Sequence, residues 1–524
     1  MKPRDGKTRR RAEFGDFQTP LDFARRVCRL IAERGLRPGS VLEPTCGRGS
    51  FLTAALEQFP TVAKAVGVEI DRDSVAAARG ALAGLRNGHR AEVRQEDFFR
   101  ADWSGMVDLL PEPLLIIGNP PWVTNSELGT MGSSNLPRKS NFLDHKGIDA
   151  ITGKANFDIS EWILMKCLEW MEGRRAVLAM LCKTAVARRV LLRCWKTGTR
   201  TGRAEMFLID GLKVFGAAVA SCLLVIDPLV ADTGLLCRVY QGLDKAEPFS
   251  RCGYHDDSLI ADVGLYKRWK HLSGTGRRTW RSGIKHDCVR VMEFVEEPGG
   301  LRNRMGEVVH LEPDYLYPML KSSDLANGRT ATLGRRMLVT QRSSGEDTYE
   351  IEERAPKTWE YLCRHGNLLD RRASAVYRKR PRFSIFGVGD YSFAVWKVAV
   401  SGLSKKLAFT VVGPFEGKPV VLDDTCYFLA CRSHHEAEFL ARLLNSTPAR
   451  EFYSAFVFWD AKRPITADIL RRLDLLAPAK ELGIEEGRLD DLESPPEFPL
   501  RERPVGDTIT GPKSLSCHSP NLMD

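Results

Sequence analysis

No stretch of the 524 residues is apolar for long enough to span a bilayer, which takes about 20 such residues in a row. Cysteine is present but unorganised: thirteen residues, an odd number, with no C-x-x-C pair. That argues against a disulfide framework and a zinc cluster, and for a reducing cytoplasm. The ten histidines show no ligand spacing. His310 and the pair His434-His435 read as surface or structural residues, and no metal is expected. Met1 to Arg11 is basic but has no apolar core behind it, so it reads as a solvated arm and not a secretory signal. Internal repeats are missing. So is the Gly-x-Gly-x-x-Gly fingerprint of nicotinamide enzymes.

What is present belongs to a soluble, multi-domain chain. Hydrophobic residues make up 43% and charged residues 27%, ordinary values for a globular protein. The length suits two or three domains. A formal net charge of +10 favours a polyanionic partner.

The first ~230 residues alternate strand and helix signals, the pattern of a parallel sheet with crossover helices. Val41-Leu42-Glu43 ends a first strand, and Ser50 is placed to cap the helix that follows. Ala65 to Ile70 is a second strand, with an Ala-rich helix opening at Asp73-Ser74. Ala91–Arg94 is a third and Leu114–Gly118 a fourth. Phe157 to Met171 reads as an amphipathic helix, Ala176–Leu181 as a strand and Val186–Trp195 as a helix. Met206–Asp210 and Ala220–Asp227 then read as a hairpin with no helix between, one strand running antiparallel in the sheet.

Chemistry-bearing residues recur at the strand ends. Glu43-Pro44-Thr45-Cys46-Gly47-Arg48-Gly49 fits a strand–turn–helix cofactor loop, in which small residues let the backbone approach a ligand near a helix N-terminus. Cys46 has no histidine beside it and reads as packing. Glu69 closes the second strand one βαβ unit after Glu43, where an acidic residue can bind both hydroxyls of a ribose. Asp97-Phe98 follows the third strand, placed to accept from an adenine amino group and cover its ring. The fourth strand runs into Asn119-Pro120-Pro121-Trp122. An aromatic amino nitrogen is a poor nucleophile, because its lone pair is delocalised. An Asn oxygen and the carbonyl of the first proline, held by fixed proline φ angles, can accept its two N–H bonds and localise that lone pair. Trp122 offers a flat face for an extruded base.

This order resembles the adenine-N6 DNA methyltransferases of restriction–modification type, in which the cofactor loop precedes the Asn-Pro-Pro-aromatic motif and a target-recognition domain comes last. The resemblance spans most of residues 14–475. It implies an α/β, class I S-adenosylmethionine-dependent methyltransferase (Rossmann-like) sheet followed by a β-rich (α+β) recognition domain. Phe14 to Pro20 looks like the family's N-terminal motif, with Thr19 near the cofactor. Glu43, Thr45, Gly47 and Gly49 match its cofactor loop, Glu69-Ile70 its ribose segment and Asp97-Phe98 its adenine segment. Asn119, Pro120, Pro121 and Trp122 match the catalytic motif, although the family more often has Tyr or Phe as the fourth residue. Phe215, in Lys213-Val214-Phe215, looks like the aromatic that stacks with Trp122 on a flipped adenine. The polar segment 123–153 is either a DNA-contacting lid or an insertion.

From about 275 to 475 short β-like runs with aromatics and turn residues replace the strand–helix alternation, and the last ~45 residues are Pro- and charge-rich, so the chain divides into a catalytic domain (1–270), a recognition domain (271–478) and a flexible tail (479–524). Tyr315–Asp324 and Asp423–Tyr427 look like parts of the recognition half. Within it, Arg371, Arg372, Arg378 and Arg380 lie among Tyr377 and Phe383, a pattern suited to nucleic-acid contact. Glu416-Gly417-Lys418 mimics part of a nuclease motif but has no Pro-Asp partner nearby. The implied partners are double-stranded DNA and a separate cognate restriction endonuclease. The implied reaction is transfer of a methyl group to a flipped adenine, in restriction–modification or phage defence. Cytosine-N4, RNA or protein-glutamine methylation shares the motif's chemistry. A non-catalytic DNA-binding specificity protein is the alternative from another class. Recognition sequence and oligomeric state have no signature here.

Overall fold

The computed structural model describes residues 18–123 and 158–484, apart from 217, 233, 276–277 and 331–332. The basic arm, Phe14–Phe17, nearly all of the 123–153 segment and the chain from 485 onward lie outside the described residues. The chain divides into two compact units, 1–264 and 265–524. Within the second, Leu476–Glu481 is helical with Ala479 buried, so folded structure runs past residue 478.

The first unit is built on a ten-stranded mixed sheet. In chain order its elements are α1 (Leu21–Glu33), β1 (Ser40–Glu43), α2 (Ser50–Gln58), β2 (Lys64–Glu69), α3 (Arg72–Ala83), β3 (Ala91–Gln95), α4 (Trp103–Asp108) and β4 (Leu114–Gly118). They are followed by α5 (Ile159–Met171), β5 (Ala176–Lys183), α6 (Thr184–Thr197), β6 (Arg203–Asp210), α7 (Gly211–Phe215), β7 (Ala220–Asp227), β8 (Leu236–Tyr240), β9 (Ser250–His255) and β10 (Ser258–Ile260). Their order across the sheet is β10-β9-β8-β6-β7-β5-β4-β1-β2-β3. β1 to β5 run parallel to one another, and β7 is antiparallel to both β5 and β6. All five residues of β4 are buried, as expected of a parallel strand covered on both faces.

The chain winds outward from β1 to β2 and β3, then from β4 to β5 on the other side. The order therefore reverses between β1 and β4. Their carboxyl ends face the crevice where open α/β sheets take ligands. This is the class I methyltransferase arrangement.

Four local expectations are corrected. Ser50 is the first helical residue of α2, whose cap is Gly49 with no side-chain bond. Asp71, not Asp73 or Ser74, caps α3, its carboxylate accepting from Ser74 N. The segment between β6 and β7 contains the five-residue α7, capped by Asp210. The sheet also continues into β8–β10. Those strands are short and interrupted by polar residues, so their periodicity is weak.

The second unit mixes short strands and helices. Its strands include β11 (Arg281–Ser282), β12 (Glu293–Glu297), β13 (Gly300–Asn303), β14 (Val308–Val309), β15 (Leu316–Leu320), β16 (Arg335–Leu338), β17 (Trp396–Ser401), β18 (Thr410–Val412), β19 (Val421–Leu422) and β20 (Cys426–Cys431). One sheet has the order β14-β13-β12-β16-β15-β19 and a smaller one β11-β20-β17-β18. Phe294, Met319, Met337, Trp359, Leu362 and Phe383 form one core, and Leu320, Ala399, Leu422 and Phe428 belong to another. Phe383–Gly387 forms no strand; Phe386 meets Lys285 through an isolated bridge. Phe383 has a left-handed φ of 63°, which breaks strand geometry there. The segments 315–324 and 423–427, distant in sequence, meet in space. β15 pairs in parallel with β19, and Ser322 Oγ donates to Thr425 O at 2.7 Å.

Candidate active site

The loop from β1 to α2 turns on two left-handed glycines, Gly47 (φ 51°) and Gly49 (φ 76°). Side chains there would be strained, and a Cβ at Gly49 would also press on Ala78 Cβ at 3.1 Å. Cys46 N donates to Val68 O at 2.8 Å, tying the loop to β2. The Cys46 thiol is buried and pushed up by desolvation, as suits a packing residue and not a nucleophile.

Glu43 is 3% exposed, and its carboxylate accepts from Leu52 N at 3.1 Å inside the first turn of α2. Burial raises it well above the ordinary carboxylate range, the Leu52 bond opposes that shift, and nearby Glu69 adds to it. Gly118, at the end of β4, passes so close that a Cβ would sit 3.4 Å from Glu43 Cγ. The ends of β1 and β4 thus meet, as the sheet order requires.

Glu69 does structural work that its position in sequence did not announce. One oxygen accepts from Gly47 N at 2.9 Å, the other from Ile70 N and Asp71 N at 2.8 Å each. It therefore pins the cofactor loop to the end of β2. A carboxylate has about four lone-pair sites, so three backbone donors leave acceptor capacity for a ligand. Ile70 beside it is exposed on the rim. Asp97 accepts from Phe99 N at 2.9 Å and lies 3.6 Å from Arg100. Phe98 is buried against Phe99, Trp103, Trp162 and Trp170. Trp103 and Trp170 stack with centroids 4.5 Å apart. The three tryptophans come from α4 and α5, and nothing in their spacing signalled that they converge.

At the end of β4, Asn119 Nδ2 donates to Thr19 Oγ1 at 3.4 Å. Thr19, expected beside the cofactor, thus touches the Asn-Pro-Pro-Trp segment. Trp122 is 5% exposed and belongs to the core of this unit. Phe215 stands edge-on to it, centroids 5.2 Å apart at 77°, and edge-on to Phe23 at 6.0 Å. The two expected stacking residues are therefore neighbours, but the open face expected of Trp122 is not met. In this state the ring packs the motif against the sheet.

The basic cluster of the second unit separates into two kinds. Arg371, Arg378 and Arg380 are exposed, as is Lys379. Arg372 is half-buried. Its guanidinium donates to Leu369 O, His286 O and Ser384 O and lies 3.7 Å from the Tyr377 ring centroid. Desolvation lowers its pKa. Arg372 is a staple of this unit, and its expected role in DNA contact is withdrawn. Glu416 pairs with Arg336 at 2.6 Å, and Lys418 donates to the carbonyls of Pro313 and Leu316, so that triplet is structural. Among the described residues, no group of three or more His, Cys, Asp or Glu side chains could hold a metal ion, and no helix is long and apolar enough to cross a membrane.

The loop fits a nucleoside-bearing cofactor. The buried Thr45 hydroxyl has no hydrogen-bond partner among the described residues, and an orphaned buried group of this kind calls for a ligand. Two left-handed glycines, Gly47 and Gly49, follow it, and Glu69 keeps acceptor capacity beside them. Fold and site together define a class I methyltransferase whose methyl donor is S-adenosylmethionine.

No family model matches the chain. It is 43% identical over 469 residues to the Type II methyltransferase M.NspV of a Nostoc species, covering 89% of this chain and 97% of that one. A shorter likeness, 33% over 114 residues, links it to the Type II methyltransferase M.CvrRI of Paramecium bursaria Chlorella virus XZ-6E, covering 22% of this chain and 26% of that one. The solved structure of the Type IIL restriction-modification enzyme MmeI in complex with DNA shares the fold, with a TM-score of 0.52 at 12% identity over 85% of this chain. This chain spans 63% of that protein's length. The chain belongs to the Type II methyltransferases, the DNA methyltransferases of restriction–modification systems.

Proposed function

We propose that this chain is a site-specific adenine-N6 methyltransferase acting on double-stranded DNA, in restriction–modification or phage defence. The observation that carries the reading is Asn119-Pro120-Pro121-Trp122 at the end of β4, beside the β1 loop at the point where the strand order reverses. The likeness to a solved enzyme in complex with DNA supports the choice of substrate. In this reading Thr45, Gly47, Gly49, Glu69 and Asp97 hold the cofactor, and Ile70 and Phe98 pack around it. When bound, S-adenosylmethionine supplies an electrophilic methyl group.

The residues of the chain have simple tasks. The Asn119 oxygen and the Pro120 carbonyl accept the two N–H bonds of the target amino group. That favours a pyramidal nitrogen with a localised lone pair, so no strong base is needed. The prolines fix the acceptors. Trp122 and Phe215 form the aromatic wall of the base site, with Trp122 uncovered when DNA binds. Arg371, Arg378 and Arg380 contact phosphates, and the second unit reads the sequence. The cytoplasm is the expected compartment, and a separate restriction endonuclease is the expected companion.

The test is methyl incorporation from labelled S-adenosylmethionine into unmethylated duplex DNA, structured RNA and a protein extract in parallel. Label in DNA alone supports the reading. Label in RNA or protein, with none in DNA, overturns it.

A further inference from the structure

The chain leaves the catalytic motif at Val123 and returns to described structure at Asp158. These two points are fastened together. Ile159 N donates to Val123 O at 3.0 Å, one residue beyond Trp122. Asp158, 5% exposed, caps α5, its Oδ1 accepting from Ser160 N at 3.1 Å and Ser160 Oγ at 2.5 Å. Its second oxygen, Oδ2, accepts from Lys183 Nζ at 2.7 Å.

Lys183 is the last residue of β5, the strand hydrogen-bonded to β4. Gly118 aligns with Met180 in that register. Pro121 lies three residues past Gly118 and Lys183 three past Met180, so both leave the sheet at the same edge. One turn into α5, buried Glu161 also pairs with Arg189 of α6 at 2.7 Å.

We infer that Lys183 and Asp158 are a positioning pair for the transfer reaction: their ion pair holds the exit of the Asn-Pro-Pro-Trp motif in register with β5. The inference rests on the assignment of Asn119–Trp122 as the catalytic motif. The physical case is one of mechanical reference. Asn119 and the Pro120 carbonyl must stand within a few tenths of an ångström of their places, and a misplacement of 1 Å can cost ~10²-fold in rate. β4 fixes the motif from its N-terminal side. On the other side the chain runs into residues 124–157, and beyond the packing of Trp122 the Val123–Ile159 bond is the described backbone attachment. That bond is only as firm as the start of α5, and the start of α5 is anchored to the sheet through Asp158 and Lys183. A buried carboxylate with three donors around it has one stable geometry. Removing the ammonium leaves a buried charge that draws in water or shifts the helix start.

The experiment measures single-turnover methyl transfer by the full-length chain. Labelled S-adenosylmethionine and unmethylated plasmid DNA are both saturating, and affinity for S-adenosylhomocysteine is measured beside it. Lys183→Met should lower the rate about tenfold to a hundredfold, with that affinity within about twofold of wild type. Lys183→Arg, which can still pair, should recover to within about threefold. Asp158→Asn keeps the helix cap but loses the charge, so it should fold and show the same rate loss even if Lys183→Met does not fold. A wild-type rate in Asp158→Asn and in folded Lys183→Met overturns the inference. So does a rate loss matched by an equal loss of S-adenosylhomocysteine affinity, which would make the pair part of the cofactor site. Asn119→Ala is the reference. Full turnover by that variant removes the catalytic-motif assignment itself, whereas an inactive Asn119→Ala beside a normal Lys183→Met overturns the positioning role alone.

Discussion

Replacing Glu69 with Ala separates two roles that the structure gives to one carboxylate. Glu69 accepts from the N–H groups of Gly47, Ile70 and Asp71. The Ile70 donor is exposed and can return to water at little cost. The Gly47 and Asp71 donors are half-buried, and leaving each without an acceptor costs about 1–3 kcal/mol. The cofactor-free protein should therefore lose ~2–6 kcal/mol in this unit, or ~4–24 °C in melting temperature at 2–4 °C per kcal/mol. The fourth lone-pair site is the one proposed for the ribose. Its loss removes a hydrogen bond to a charged acceptor, about 1.5–3 kcal/mol, and should weaken S-adenosylhomocysteine tenfold to a hundredfold. Thermal unfolding without ligand reads the first effect, and calorimetric titration on the folded variant reads the second. A variant with wild-type melting temperature shows that Glu69 does not pin the loop. One that melts early but binds S-adenosylhomocysteine normally shows that the cofactor lies elsewhere.

Three further outcomes follow from the same geometry. Asn119→Ala should lower the transfer rate ~10²-fold or more while leaving cofactor affinity near wild type, as read by single-turnover kinetics and titration. Neutralising Arg371, Arg378 and Arg380 together should lower the slope of log K for DNA against log salt by about 0.9 per lost phosphate contact, whereas Arg372→Ala should lower the melting temperature of the second unit. Lys397, buried on β17 and donating to Ala394 O and Val420 O, is pushed down to about 7 by desolvation. Above that value the folded unit binds fewer protons than the unfolded chain, whose lysine titrates near its ordinary value. Stability should therefore rise from pH 7 toward 10. Lys397→Met should flatten that rise, as measured by denaturant unfolding across the range.

The parallel half of the first sheet was legible because β1, β2, β4 and β5 are short, mainly apolar runs and a candidate site residue stands at or just past the end of each of the first four strands. Glu43, Glu69, Asp97 and Asn119 all stand at the strand ends where the sequence suggested. What escaped was whatever depends on contacts between distant segments. The three donors on Glu69 are backbone groups, which no residue type reveals. Trp103, Trp162 and Trp170 converge from two helices, and Asp158 meets Lys183 across a strand end. The arginine run failed differently. Alternation of cations and aromatics in sequence fits a stapled turn as well as a binding face, and burial separates Arg372 from Arg371. In the second unit the strands are two to six residues long and several pair with strands distant in sequence, as β11 does with β20 and β15 with β19, so alternation over a few residues could not fix their order.

The central claim is the identity of the methylated atom. The direct measurement is to methylate unmodified duplex DNA with the purified chain, digest it to nucleosides and identify the modified base by mass spectrometry, with Asn119→Ala as the control. The account predicts N6-methyladenine with the wild-type chain and none with the variant. N4-methylcytosine, or modification that survives in Asn119→Ala, contradicts it.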